Sequence, residues 1–181
     1  MPLLTTEMNI TGALKKVNLI PELVDEDFSP SSLLQVTYPG DKEVLLGNTL
    51  TPAETAEQPI VNFIPPEESA SYTLVMADPD APSATDHKFG PWRHWVVVNI
   101  PGNDPSNLSQ HHTPFIGPGP GPDTGIHRYV FLLFKQSQLN QTFAPMAHQE
   151  KPDRRNFQLN QFVTENQLEL IAANFFLCSA P

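Results

Sequence analysis

The stretch "LVMADPDAPSATDHKFGPWRHWVVVNI" places Asp78, Asp80, Asp86, His87, Arg93 and His94 between two apolar runs. Carboxylates and imidazoles at that density suit proton transfer, metal ligation or the holding of a charged group. A second set lies in "FIGPGPGPDTGIHRYVFLLF", where His127 and Tyr129 fall two residues apart at the mouth of another apolar run. In an extended chain they point to the same side, offering an N–H and an O–H to one ligand.

Asp78-Pro79-Asp80-Ala81-Pro82 follows an apolar run directly. Proline cannot continue a central ladder, so the chain must leave the sheet there, with Asp78 at a strand end and Pro82 in the loop beyond. Downstream, Trp92-Arg93-His94 enters the next apolar run. Alternation sends Trp92 and His94 to one side and Arg93 to the other, and predicts a half-buried His94. From Gly117 to Pro122 every second residue is proline, which leaves only the glycines as backbone donors. Gly119 and Pro120 thus belong to a stiff wall. It is unlike a phosphate cradle, which needs successive free N–H groups, and the G-x-x-x-x-G-K-[ST] pattern is absent.

Taken singly, each residue has a plain structural explanation. His94 reads as a core histidine, Asp78 as the closer of an Asx-turn, Trp92, Phe131 and Phe134 as core, and the glycine–proline run as a connector. Three motifs at the strand ends of one sheet argue instead for a shared pocket. Catalysis is disfavoured: Ser83 lies near Asp78 and His94 in sequence, but no G-x-S-x-G elbow or oxyanion hole is indicated. Asp78, His94 and His127 resemble a two-histidine, one-carboxylate metal site, yet lack H-x-D or H-E-x-x-H spacing. No catalytic residue, metal or cofactor is expected.

The elements that must position these groups are mostly strands. Ser32–Tyr38, Glu43–Leu50 and Ile60–Ile64 are short and bounded by proline or glycine, while Tyr72–Ala77, His94–Ile100 and Tyr129–Phe134 are continuously apolar, as strands covered on both faces are. Helical spacing appears in Thr6–Val17 and Asn156–Asn166, and 20 prolines exclude long helices elsewhere. Glu22, Asp25, Glu26 and Asp27 read as a solvated loop. The expected fold is mainly β: an antiparallel β-sandwich-like core with a few short flanking α-helices, one domain over residues 1–181 with a helical or irregular segment at 1–27.

At 181 residues and 39% hydrophobic content the chain can bury a real core without staples. A lone cysteine and a non-apolar N-terminus predict a cytoplasmic protein. No run approaches the roughly 20 apolar residues of a membrane span, so membrane contact is at most peripheral. A formal net charge of −10 opposes nucleic acid as a partner, and any bound anion must be held by local groups.

"DPDAPS", "HWVVVNIPG" and "GIHRYVFLL" resemble the phosphatidylethanolamine-binding protein family, over roughly Phe28 to Leu177. "LGNTLTPAE" and "NQLELIAANFF" are similar to its fungal branch, which includes the inhibitor of the serine protease carboxypeptidase Y. The resemblance implies a sandwich-like core with flanking helices. It also implies a small pocket for phosphate or a phosphorylethanolamine-type head group, lined by Asp78 and Pro82, Trp92 and His94, Gly119 and Pro120, and His127 and Tyr129. The sequence departs from the family where Arg93 replaces a histidine, where Gly121-Pro122-Asp123 replaces Pro-x-Gly, and where the C-terminal rim tyrosine of animal members is missing. The function implied is that of a non-enzymatic regulator, inhibiting a serine carboxypeptidase, or alternatively modulating a kinase or small-GTPase pathway through the same pocket. On charge grounds His127, Tyr129 and glycine N–H groups would meet the phosphate, while Asp78 holds His94 or receives an ammonium.

Overall fold

The computed structural model describes residues 3–181, with side chains from Asn9 onward. Helix α1 (Leu3–Lys16) and the short turn α2 (Leu19–Glu22) come first. Strands β1 (Leu34–Tyr38), β2 (Lys42–Glu43), β3 (Asn48–Thr49), β4 (Ile60–Phe63), β5 (Ser71–Asp78), β6 (Trp92–Pro101), β7 (His111–Thr113) and β8 (His127–Lys135) follow. A 3-10 turn at Lys151–Arg154 and helix α3 (Leu159–Glu165) then precede β9 (Glu169–Cys178).

The strands form two open sheets, a large one ordered β3-β9-β8-β5-β6-β7 and a small one ordered β2-β1-β4. The mainly β, sandwich-like expectation holds. Pairing is antiparallel except between β3 and β9, which run parallel.

Strand β5 is buried at every position because both its faces are covered. Tyr72, Leu74 and Met76 join the layer between the sheets, with Val36 and Phe63 of the small sheet. Val75 and Ala77 turn to the opposite layer, beneath the helices. Ile10 and Leu14 stand one turn apart on α1 and cover that second layer with Phe162 of α3. Full burial of such a side chain contributes about 1.5–3 kcal/mol, so the unbroken apolar runs of β5, β6 and β8 locate the centre of the large sheet.

Several elements differ from expectation. Glu43–Leu50 is two short strands rather than one, because Leu46 and Gly47 take φ of 53° and 113° where the chain crosses from the small sheet to the large one. α3 starts at Leu159, later than Asn156: the backbone N–H of Asn156 bonds the Phe89 carbonyl and that of Phe157 the Pro91 carbonyl, pinning this segment to the β5–β6 loop. β9, which pairs with β8 along its length, has no counterpart in the sequence reading. Glu22 is not simply solvated. Its carboxylate takes both ends of the Arg128 guanidinium at 2.8 and 2.9 Å, and Arg128 also donates to Asp80 and to the Val17 carbonyl. The N-terminal segment is thereby tied to β8.

Candidate functional site

β5 ends at Asp78, opposite Trp92, the first residue of β6, and β8 begins at His127 beside β5. Three strand ends therefore open on the same side of the large sheet. Pro79 and Pro82 turn the chain out after β5, and Gly90 permits the return. A Cβ on Gly90 would lie 2.3 Å from the Pro79 carbonyl oxygen, so only glycine allows the two arms of the loop to meet. A cavity of 380 Å³ lies between this loop and the glycine–proline segment. Asp78, Pro82, Trp92, His94, Gly119, Pro120, His127 and Tyr129 all line it, so the structure brings all eight expected positions together.

Their connections correct the expected picture. Asp78 does not hold His94. Its two carboxylate oxygens take the backbone N–H of Asp80 at 2.7 Å and His127 Nδ1 at 2.8 Å. His127 Nε2 lies 2.8 Å from Thr124 Oγ1, whose hydroxyl is 2.7 Å from the Gly121 carbonyl oxygen. Both imidazole nitrogens are engaged by protein groups, so His127 is an anchored wall rather than a spare donor. A hydroxyl and a carboxylate on either side fix the ring.

His94 is buried, at 4% exposure rather than half, because Trp92 and Tyr129 pack against its ring at 4.5 and 5.3 Å between centroids. Burial pulls its pKa down to about 4, so the ring is neutral at pH 7. Nδ1 donates to the Ile116 carbonyl at 2.8 Å, which leaves Nε2 as an acceptor. Burial, helped by the Asp78 charge, also raises the Tyr129 phenol far above its ordinary value, so it stays protonated. Among the described residues no partner stands within hydrogen-bond reach of its hydroxyl or of the N–H groups of Gly117, Gly119 and Gly121, all in residues that line the cavity.

Arg93 points away from the pocket, as alternation requires. It donates to Thr113 and the Ala147 carbonyl and lies over Phe157 in the second core.

Sequence reasoning missed the 3-10 turn. Lys151 and Arg155 stand exposed at the cavity mouth, and Arg155 lies 3.8 Å from the Phe89 ring centroid. Buried Arg154 ties the turn to β6, donating to the carbonyls of His94 and Pro114 at 3.0 and 2.9 Å and lying over Trp92. A signal was present: "KPDRR" holds three of the chain's 10 Lys and Arg within five residues.

Ser83 is engaged within its own loop and not with Asp78 or His94. Its hydroxyl accepts the Asp86 N–H at 3.0 Å and lies 3.4 Å from Thr85, within its own loop. Cys178 is buried, and burial pushes its thiol up to about 11. A second cavity of 270 Å³ lies at the other end of β8, where Lys135 is already paired with Glu67 at 2.6 Å.

A family model describing phosphatidylethanolamine-binding proteins matches residues 40–176. CEN-like protein 1 of Nicotiana tabacum is 38% identical over 168 residues, 92% of this chain and 91% of that protein. Among solved structures, carboxypeptidase Y inhibitor in complex with its cognate proteinase superimposes with a TM-score of 0.83 at 28% identity, covering 97% of each chain. The phosphatidylethanolamine-binding protein of Plasmodium vivax gives 0.81 at 26% identity, covering 94% of this chain and 97% of the other.

Proposed function

The chain belongs to the phosphatidylethanolamine-binding protein family, and from that premise we propose a non-enzymatic regulator whose pocket holds a phosphate or phosphorylethanolamine-type head group and whose target is a serine carboxypeptidase. The observation that carries the target is the likeness, over nearly all of both chains, to an inhibitor solved with its proteinase. The pocket supports the ligand. Tyr129, Gly119 and Gly121 line a 380 Å³ space, their O–H and N–H groups have no partner among the described residues, and a phosphate oxygen satisfies such donors. Asp78, His127 and Thr124 are engaged with one another rather than arranged as nucleophile and base, which supports binding without turnover.

The test has two parts. Purified protein is mixed with carboxypeptidase Y and hydrolysis of a peptide substrate is followed; inhibition at micromolar protein is expected, and an unchanged rate removes this target. Calorimetric titration with phosphorylethanolamine examines the pocket separately. Heat that is absent across pH 5 to 8 would remove the ligand.

A further inference from the structure

We infer that Lys151 and Arg155 make the pocket selective for a terminal phosphate carrying two negative charges, a phosphomonoester, over the singly charged phosphate of a phosphodiester. This inference rests on the proposed phosphate-binding pocket and narrows its ligand.

Among the described residues, six of the 10 lysines and arginines are already satisfied, and Lys15 and Lys16 stand exposed on α1, outside the lining of the pocket. Lys42, Lys88, Arg128 and Lys135 pair with carboxylates, while Arg93 and Arg154 are buried on carbonyl or hydroxyl oxygens. Lys151 and Arg155 have no carboxylate or carbonyl partner for their side chains, and both line one cavity mouth in a chain of net charge −10. Arg155 lies over the Phe89 ring, 3.8 Å from its centroid, and a guanidinium held on a ring face keeps its N–H edge for donating.

Among the described residues that line the pocket, no other lysine or arginine is present. His94 is buried on the Ile116 carbonyl, and His127 is shared between Asp78 and Thr124. The groups that face a bound phosphate are therefore Asp78 with His127, His94, Tyr129, and the two rim cations, with Arg154 held beneath Trp92. A dianion at the mouth meets two positive charges, with the unpaired glycine N–H groups among the residues lining the same cavity. A phosphodiester brings one negative charge and substituents on both sides. It must thread one of them into a pocket whose floor is closed by buried Tyr129 and His94.

The charge state gives the reading its own signature. The second ionisation of a phosphomonoester falls near pH 6, so affinity should rise from pH 5 to pH 7.5 as the dianion forms. If an imidazolium carried the phosphate, affinity would fall over the same range.

The test is calorimetric titration of the full chain with inorganic phosphate, phosphorylethanolamine and glycerophosphoethanolamine at pH 5.5 and 7.5. Sedimentation with phosphatidylcholine vesicles carrying a few per cent phosphatidic acid or phosphatidylethanolamine follows. The vesicle arm separates a lipid-borne monoester from a free one: phosphatidic acid retention shows that lipid can supply the group, and binding of soluble monoesters alone assigns a free ligand. Lys151→Glu and Arg155→Glu change exposed side chains and should leave the melting temperature unmoved. Each should weaken monoester binding by about three- to tenfold, as loss of a solvent-exposed charge contact does, with little effect on the diester, and Lys151→Arg should retain affinity. Equal affinity for monoester and diester, or no effect of either charge reversal, overturns the inference and leaves the pocket standing. Failure of every phosphate compound to bind overturns both.

Discussion

Asp78 shows how much one side chain carries here. It is 4% exposed, and its two oxygens serve separate tasks, closing the turn at Asp80 and anchoring His127. Asp78→Asn keeps the size but sets an amide N–H against the imidazole. Losing a hydrogen bond to a buried charged group costs about 1.5–3 kcal/mol, so denaturant melts should show a loss of that order, together with weaker phosphorylethanolamine binding. His94 makes a prediction with a sign. Its folded-state pKa of about 4 lies below the ordinary 6.5, so between those values the unfolded chain takes up a proton that the folded chain excludes. The contribution of neutral His94 is complete above about pH 6.5 and is lost as pH falls toward 4, with a slope approaching roughly 1.4 kcal/mol per pH unit. Urea melts at pH 7, 5.5 and 4.5 should show His94→Gln flattening that decline. A variant as pH-sensitive as the parent would assign the loss to other groups.

At the scale of elements, the pocket depends on loops pinned to one another rather than on regular structure. Gly90 packs against Pro79 with no room for a methyl group. Gly90→Ala should therefore displace the β5–β6 loop and lower stability by about 1–3 kcal/mol, the usual range for overpacking, and ligand affinity should fall with it. The N-terminal segment is held by its own device. Arg128, next to His127 in β8 but on the opposite face, grips Glu22, Asp80 and the Val17 carbonyl. Arg128→Met leaves Asp80, 3% exposed, without its main cation. Limited proteolysis should then cut between residues 17 and 24 faster than in the parent protein, and an unchanged rate would show that apolar burial of Leu14 and Leu19 alone holds the segment.

For the whole molecule, charge decides what is kept away. The net charge of −10 is uneven, with exposed Lys151 and Arg155 together at one cavity mouth, so a local positive site stands within a field that repels anionic surfaces. Vesicles rich in phosphatidylserine should retain no more protein than phosphatidylcholine vesicles at low salt. Strong, salt-sensitive retention on phosphatidylserine would contradict this.

The sequence by itself determined the large sheet's centre and the pocket's wall. Unbroken apolar runs such as Tyr72–Ala77 can only be strands covered on both faces, and Pro79 and Pro82 force an exit from the sheet at Asp78. Those are local rules, written in adjacent residues. β9 escaped because the run around "LELIAANFF" mixes Asn174 and alanines into an apolar stretch. Asn174 is tolerated because its amide bonds the carbonyls of Leu34 in β1 and of Val44, just after β2. The partner of Asp78 was likewise beyond reach. Alternation says which way a side chain points, but whether His94 or His127 meets Asp78 depends on strand order, and β5 lies between β6 and β8. Lys151 and Arg155 reach the mouth only because buried Arg154 bonds carbonyls some 40 to 60 residues earlier in the chain. Contacts between residues so far apart follow from packing, which no local pattern records.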